Sequence, residues 1–141
     1  MAIIYQEIGD RDGEGGSLGN LGSAYRSLGE YQRAIEFHQQ SLEIKREIGN
    51  RDGERICLNS LGNAYDSLGQ HQRAIKLFQQ SLGIIREIGN RNAEGNCLNS
   101  LGNAHSSFGE YQLAIEFHQL SLEIFREIGE RNGEGNSLEG V

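Results

Sequence analysis

GNRDGERICLNSLGNAYDSLGQHQRAIKLFQQSLGIIREI runs from Gly49 to Ile88. It returns from Gly89 to Ile128 as GNRNAEGNCLNSLGNAHSSFGEYQLAIEFHQLSLEIFREI. An earlier copy, GDRDGEGGSLGNLGSAYRSLGEYQRAIEFHQQSLEIKREI, spans Gly9–Ile48, and a fourth opens at Gly129 and stops at Val141. Residues 1–8 align with Ser41–Ile48. Self-similarity at a period of roughly 20–50 residues marks stacked supersecondary units, each burying its apolar face against its neighbours.

Within Gly49–Ile88, Leu58, Leu61, Ala64, Tyr65 and Leu68 recur at three- and four-residue spacing, the apolar stripe of an amphipathic helix. Gly69 ends it, and a second stripe follows through Ala74, Ile75, Phe78, Leu82, Ile85 and Ile88. Each repeat therefore reads as a helix A of about four turns, a tight turn at Gly29, Gly69 or Gly109, and a longer helix B. Asp12, Asn50, Asp52 and Asn90 stand where a side-chain oxygen caps helix A. Gly22, Gly62 and Gly102 fall inside helix A at a cost of up to about 1 kcal/mol each. That cost predicts a close approach of helix B, opposite Ala34, Ala74 and Ala114. Gly83, where the other copies carry Glu43 and Glu123, is expected to be a soft spot.

The spacing Leu18–Leu21–Gly22–Tyr25–Ala34–His38–Ser41 resembles the tetratricopeptide repeat. So does Leu58–Leu61–Gly62–Tyr65–Ala74–Phe78–Ser81. In the third copy Leu98, Leu101, Gly102, Ala114 and Ser121 match, with His105 and His118 replacing the aromatics. The 40-residue period and the lack of proline are similar to repeats of Leu-Gly-Asn-rich G-protein modulators and of bacterial, including cyanobacterial, tandem arrays. The resemblance implies an all-α, right-handed solenoid of antiparallel helix hairpins that binds a partner segment in its concave groove. Residues 1–141 would form a single array: 1–8 the end of a preceding helix B, 9–48, 49–88 and 89–128 three repeats, 129–141 a partial helix A.

Composition narrows the function. A net charge of -7 argues against nucleic acid, which requires clustered Lys and Arg, and against an anionic membrane surface. No stretch approaches the roughly 20 apolar residues of a membrane span, and MAIIYQEIGD has no basic leader. Cys57 and Cys97 occupy equivalent positions of successive repeats, too far apart to bridge, and read as buried thiols in a reducing cytoplasm. No nucleophile elbow, P-loop, H-E-x-x-H or C-x-x-C is present, so neither an enzyme nor a cofactor is expected. His105 and His118 are conceivable as a metal pair but are read as packing residues, and no metal site is assigned.

The binding candidate lies opposite the apolar stripe of helix A. Ile56, Asn59, Asn63 and Asp66 share one face, repeated as Asn96, Asn99, Asn103 and Ser106. Asparagine amides both donate and accept, and so suit the backbone of a peptide of any sequence. The first repeat has Gly16, Gly19, Ser23 and Arg26 there, so binding is expected to centre on the second and third. Arg51 and Arg91, with Arg11 and Arg131, recur at the entry to helix A. They are candidate readers of acidic ligand groups, or structural ties to carboxylates such as Glu47 and Glu87. The expected partner is a protein or peptide. The alternative is a self-assembling repeat module, a homo-oligomer joined through Ile3, Ile4 and Ile8 at one end and Leu138 and Val141 at the other.

Overall fold

A computed structural model describes residues 2–139, and side chains from 7 to 132. Six α-helices follow one another: α1 (Ala2–Ser27), α2 (Tyr31–Glu47), α3 (Arg51–Ser67), α4 (His71–Ile88), α5 (Arg91–Ser107) and α6 (Tyr111–Glu139). The helices pair as α1–α2, α3–α4 and α5–α6, and each hairpin packs through its second helix on the first helix of the next. The result is an all-α solenoid.

The breaks have local causes. Gly29, Gly49, Gly69, Gly89 and Gly109 all adopt positive φ, between 73° and 91°, where a side chain would clash. After Gly29, Gly69 and Gly109 the next amide bonds back to an orphan helix carbonyl: Glu30 to Tyr25, Gln70 to Tyr65, Glu110 to His105. Asn50 and Asn90 cap α3 and α5, their Oδ1 atoms accepting from the amides of Gly53 at 2.8 Å and Ala93 at 3.1 Å. Asp12 and Asp52 do not cap: Asp12 sits within α1 and holds Lys45, and Asp52, inside the first turn of α3, accepts from Arg55. Helix B is not appreciably longer than helix A, with 17 residues in α2, α3 and α5 and 18 in α4.

Two expected breaks are absent. α1 passes through Gly9 and α6 through Gly129 without interruption. Neither glycine takes the positive φ of the turn glycines, so helical hydrogen bonding continues through both. α4 likewise runs unbroken through Gly83.

Buried apolar side chains gather at the junctions. Ile35, Leu42, Leu58, Leu61, Ala64 and Ile84 form one cluster; Ala74, Phe78, Ile85, Cys97, Leu98 and Leu101 belong to the next. One polar bond recurs inside each hairpin. The hydroxyls of Ser41, Ser81 and Ser121 donate to the carbonyls of Gly15, Arg55 and Gly95 at 2.7–2.9 Å, 26 residues back. The helix A glycines serve a different neighbour from the one expected. A Cβ on Gly62 would lie 2.6 Å from the Phe78 ring, and on Gly22 and Gly102 it would meet the imidazoles of His38 and His118 at 2.7 and 2.6 Å. The ring one turn beyond the small Ala34, Ala74 or Ala114 is what requires glycine, because the alanine itself leaves room.

Charges tie the repeats along one edge. Arg51 donates to Glu54 at 3.0 Å and to Glu87 at 2.5 Å, while Arg46 reaches the same Glu54 at 3.1 Å. The set returns as Arg91 with Glu94 and Glu127, plus Arg86 with Glu94. Arg11 similarly bridges Glu14 and Glu47. The paired carboxylates raise all three guanidinium pKa values, those of Glu47, Glu87 and Glu127 contributing most.

These contacts set opposite outcomes for two glycine substitutions. Gly62→Ala forces the Phe78 ring aside and lowers stability by about 1–3 kcal/mol, as overpacking does. Gly83→Ala, whose Cβ would meet nothing within 4 Å, raises it by about 0.5–1 kcal/mol. Urea unfolding followed by circular dichroism checks both signs.

Candidate peptide-binding groove

The first helix of each hairpin lines one wall. α1 touches α3 and α3 touches α5, whereas among the described residues α2 does not reach α4, nor α4 reach α6. Successive A helices are therefore the closer set, and the stack curves with α1, α3 and α5 on the inner side.

Two adjoining cavities open between α1 and α3, with volumes of about 300 and 250 Å³. Gly16, Gly19, Asn20, Ser23, Ile56 and Ser60 line the first, with His38, Ser41 and Lys45 at its floor. Ser23, Arg26, Ser27, Ser60 and Asn63 surround the second, and His38 reaches both. The hollow thus falls between the first and second repeats, one step earlier than the asparagine spacing implies. The glycines that deny repeat one a ladder of amides are what leave the space.

The expected groove residues divide by what they touch. Asn63 is half-buried at the second cavity, and Asn96 and Asn103 are exposed. Asn59 is half-buried, and its Oδ1 is buried with no hydrogen-bond partner. Asn99, its equivalent, instead pairs with His118, Nδ1 to Oδ1 at 2.9 Å. The difference follows from the ring opposite: Phe78 in the second repeat has no polar atom where His118 in the third does. Asp66 is turned to structure, its carboxylate 2.6 Å from Nδ1 of His71 across the hairpin turn. Ile56 is exposed on the same face and Ser106 half-buried. Arg51 and Arg91 are engaged in the ion-pair chain described above.

His118 Nδ1 is taken by Asn99. His105 bonds Glu110 at 3.1 Å and stacks on Phe117, and among the described residues no three His, Cys, Asp or Glu side chains gather as a metal site would require. Cys57 and Cys97 are free and buried; burial raises both thiols, Cys97 to about 11, so neither is a thiolate at neutral pH. Ile8 is exposed. Ile3, Ile4, Leu138 and Val141 lie outside the described side chains. Among the described residues no helix is long and apolar enough to cross a membrane.

His38 is the residue that sequence reasoning passed over. It is only 3% exposed and no described residue hydrogen-bonds its ring, whereas the fully buried imidazole nitrogen without a partner is Nε2 of His105. Burial, then the charge of Arg26, lowers its pKa, so the ring is neutral. The signal available in sequence was the pairing of a helix B histidine with a glycine where the third repeat has Asn99.

The tetratricopeptide repeat model matches residues 13–87 and again 54–127. The chain belongs to the tetratricopeptide repeat family. No curated protein matches the sequence. Among solved structures, BtubC (BKLC) from P. vanneervenii superposes with a TM-score of 0.79 at 18% identity, over 91% of this chain and 54% of that one. The TPR domain of Arabidopsis FLU gives 0.78 at 15% identity, over 83% of this chain and 98% of that domain. A Rap protein complexed with Competence and Sporulation Factor gives 0.74 at 16%, over 86% of this chain and 33% of the Rap chain. This chain spans about half of BtubC and a third of the Rap protein. At such identities the likeness is one of fold.

The depressed pKa of His38 has a definite sign in stability. In the unfolded chain the ring takes a proton near the ordinary 6.5; in the folded chain it does so only at lower pH. Between these values the unfolded state binds more protons, so stability falls as pH drops below about 6.5. The charged groups around its cavities are Arg26, Lys45 and Asp52. His38→Phe, which installs the ring that Phe78 already supplies one repeat on, flattens this part of the stability–pH profile. Unfolding midpoints at pH 7.5 to 5 for the two proteins test it; parallel profiles would contradict it.

Proposed function

We propose that the protein is a protein–protein interaction scaffold that docks an extended peptide segment of a partner along α1, α3 and α5. The observation that carries the reading is the supply of uncommitted polar groups on this inner face. Asn63 lines the second cavity, Asn103 is exposed, and Ser60 lines both cavities. Each offers a donor and an acceptor to a peptide backbone. The Rap protein solved with Competence and Sporulation Factor adds support by analogy of fold.

Peptides selected from a random display library against the folded protein provide the ligand. Replacing Asn63 and Asn103 by Ala together weakens such peptides about tenfold, as losing two neutral hydrogen bonds should. Unchanged affinity moves the binding site off this face.

A second reading is favoured by the two ends of the stack. Leu61 is 2% exposed but its equivalent Leu21 on α1 is 44%; Ile75 is 9% exposed but Ile115 on α6 is 49%. Leu122 is uncovered in the same way where Leu42 and Leu82 are buried. The faces that make each internal junction are thus both open, and α6 of one molecule would receive α1 of another in a head-to-tail contact. Ile8, 43% exposed, lies on the same helix as Leu21. Light scattering across concentrations should show a rising mass that Ile115→Glu with Leu122→Glu abolishes. A monomer at every concentration excludes this reading.

A further inference from the structure

The third repeat shows what belongs beside a helix B histidine. Nε2 of His118 lies against Gly102, and Nδ1 bonds the amide oxygen of Asn99. The first repeat reproduces half of this arrangement. Nε2 of His38 lies against Gly22 in the same way, so Nδ1 is directed at the position equivalent to Asn99. That position is Gly19, and it offers no side chain.

The resulting hole is real space. A Cβ at Gly19 would meet nothing nearer than Ser41 Oγ at 3.6 Å, and one at Gly16 nothing within 4 Å. The cavity of about 300 Å³ opens there, large enough for a side chain, with Asn20, Ser23 and Ser60 set among glycines, Ile56 and Cys57. His38 is 97% buried at its floor, without a protein partner (it is 3% exposed). We infer that this pocket takes the carboxamide of an Asn or Gln side chain from a bound peptide, whose oxygen accepts from His38 Nδ1–H.

The occupant would complete in trans the pair that Asn99 and His118 make within the chain. An amide fits better than a carboxylate, because a neutral imidazole brings no charge and the cation at the floor, Lys45, is already paired with Asp12. A purely apolar side chain would leave Nδ1–H unpaired. The inference rests on the groove reading for the source of the side chain, but the pocket is testable without a peptide.

The test is 15N NMR of the His38 imidazole with N-acetyl-asparagine N-methylamide as probe at millimolar concentration. The leucine and aspartate analogues are run in parallel. The asparagine probe should move the His38 Nδ1 resonance saturably, and the leucine probe should not. In Gly19→Asn the resonance should already lie near that of His118, the probe should have no effect, and the melting temperature should rise by on the order of 3 °C. The backbone amides of Gly16, Gly19 and Ser23 should also shift with the asparagine probe, and in His38→Phe, with a ring already tolerated at Phe78, those amide shifts should disappear while the protein remains folded. No response in the native protein, or an equal response in Gly19→Asn, overturns the inference. A stronger response to the aspartate analogue overturns the choice of amide.

Library-selected peptides separate this from the groove reading. If Gly19→Asn leaves their affinity intact while the Asn63/Asn103 variant loses it, the groove stands and the side pocket falls. If the amide probe binds but neither variant affects the peptides, the pocket stands and the groove reading falls.

Discussion

The ring of Phe78 rests on the bare backbone of Gly62, and His38 and His118 rest on Gly22 and Gly102 in the same way. This contact sets how closely the two helices of a hairpin approach. Small alanines flank it, and the hydroxyls of Ser41, Ser81 and Ser121 fix the register by bonding carbonyls 26 residues back. A side chain on the glycine would push the hairpin open and move every later helix with it. Glycine's helix penalty is therefore offset by packing that no other residue permits.

Once each hairpin is closed, the junctions follow. The outer face of one helix B and the next helix A share an apolar cluster, and the Arg–Glu chain runs beside it. Exposed pairs of this kind contribute little individually. Their regular return instead specifies orientation: Arg46 and Arg86 cross the junctions to Glu54 and Glu94, while Arg51 and Arg91 reach forward to the end of their own hairpins. The same bonds remove both arginines from the pool of groups available to an acidic ligand.

Most of the fold was legible because it depends on local chemistry. Apolar residues at helical spacing, glycines that alone tolerate positive φ, and Asn50 and Asn90 as caps are all properties of short segments. Legibility stopped at Gly9 and Gly129, where identical residues in the repeat do not break the helix. A left-handed glycine turn forms when the following helix gains a packing surface by reversing. Gly9 and Gly129 stay helical, so the glycine alone does not make the turn.

The face that carries the candidate residues was legible in the sequence, and the shape of its surface was not. Repeat alignment put Asn59, Asn63, Asn99 and Asn103 on one helix face, and α1, α3 and α5 do form one wall. What those residues are free to do was decided by the rings opposite: His118 engages Asn99, whereas Phe78 leaves Asn59 unpaired. The cavity came from residues that have little or no side chain, Gly16, Gly19 and Ser23, and such absences carry no chemical signal in a linear reading. The sequence by itself thus determined the helices, their breaks inside the array and the family. Only the tertiary structure decided which polar groups are already paired and that His38 lies without a hydrogen-bond partner beside an empty position. Periodicity reports which face a residue occupies, but hydrogen bonding and empty volume depend on what another helix brings against it.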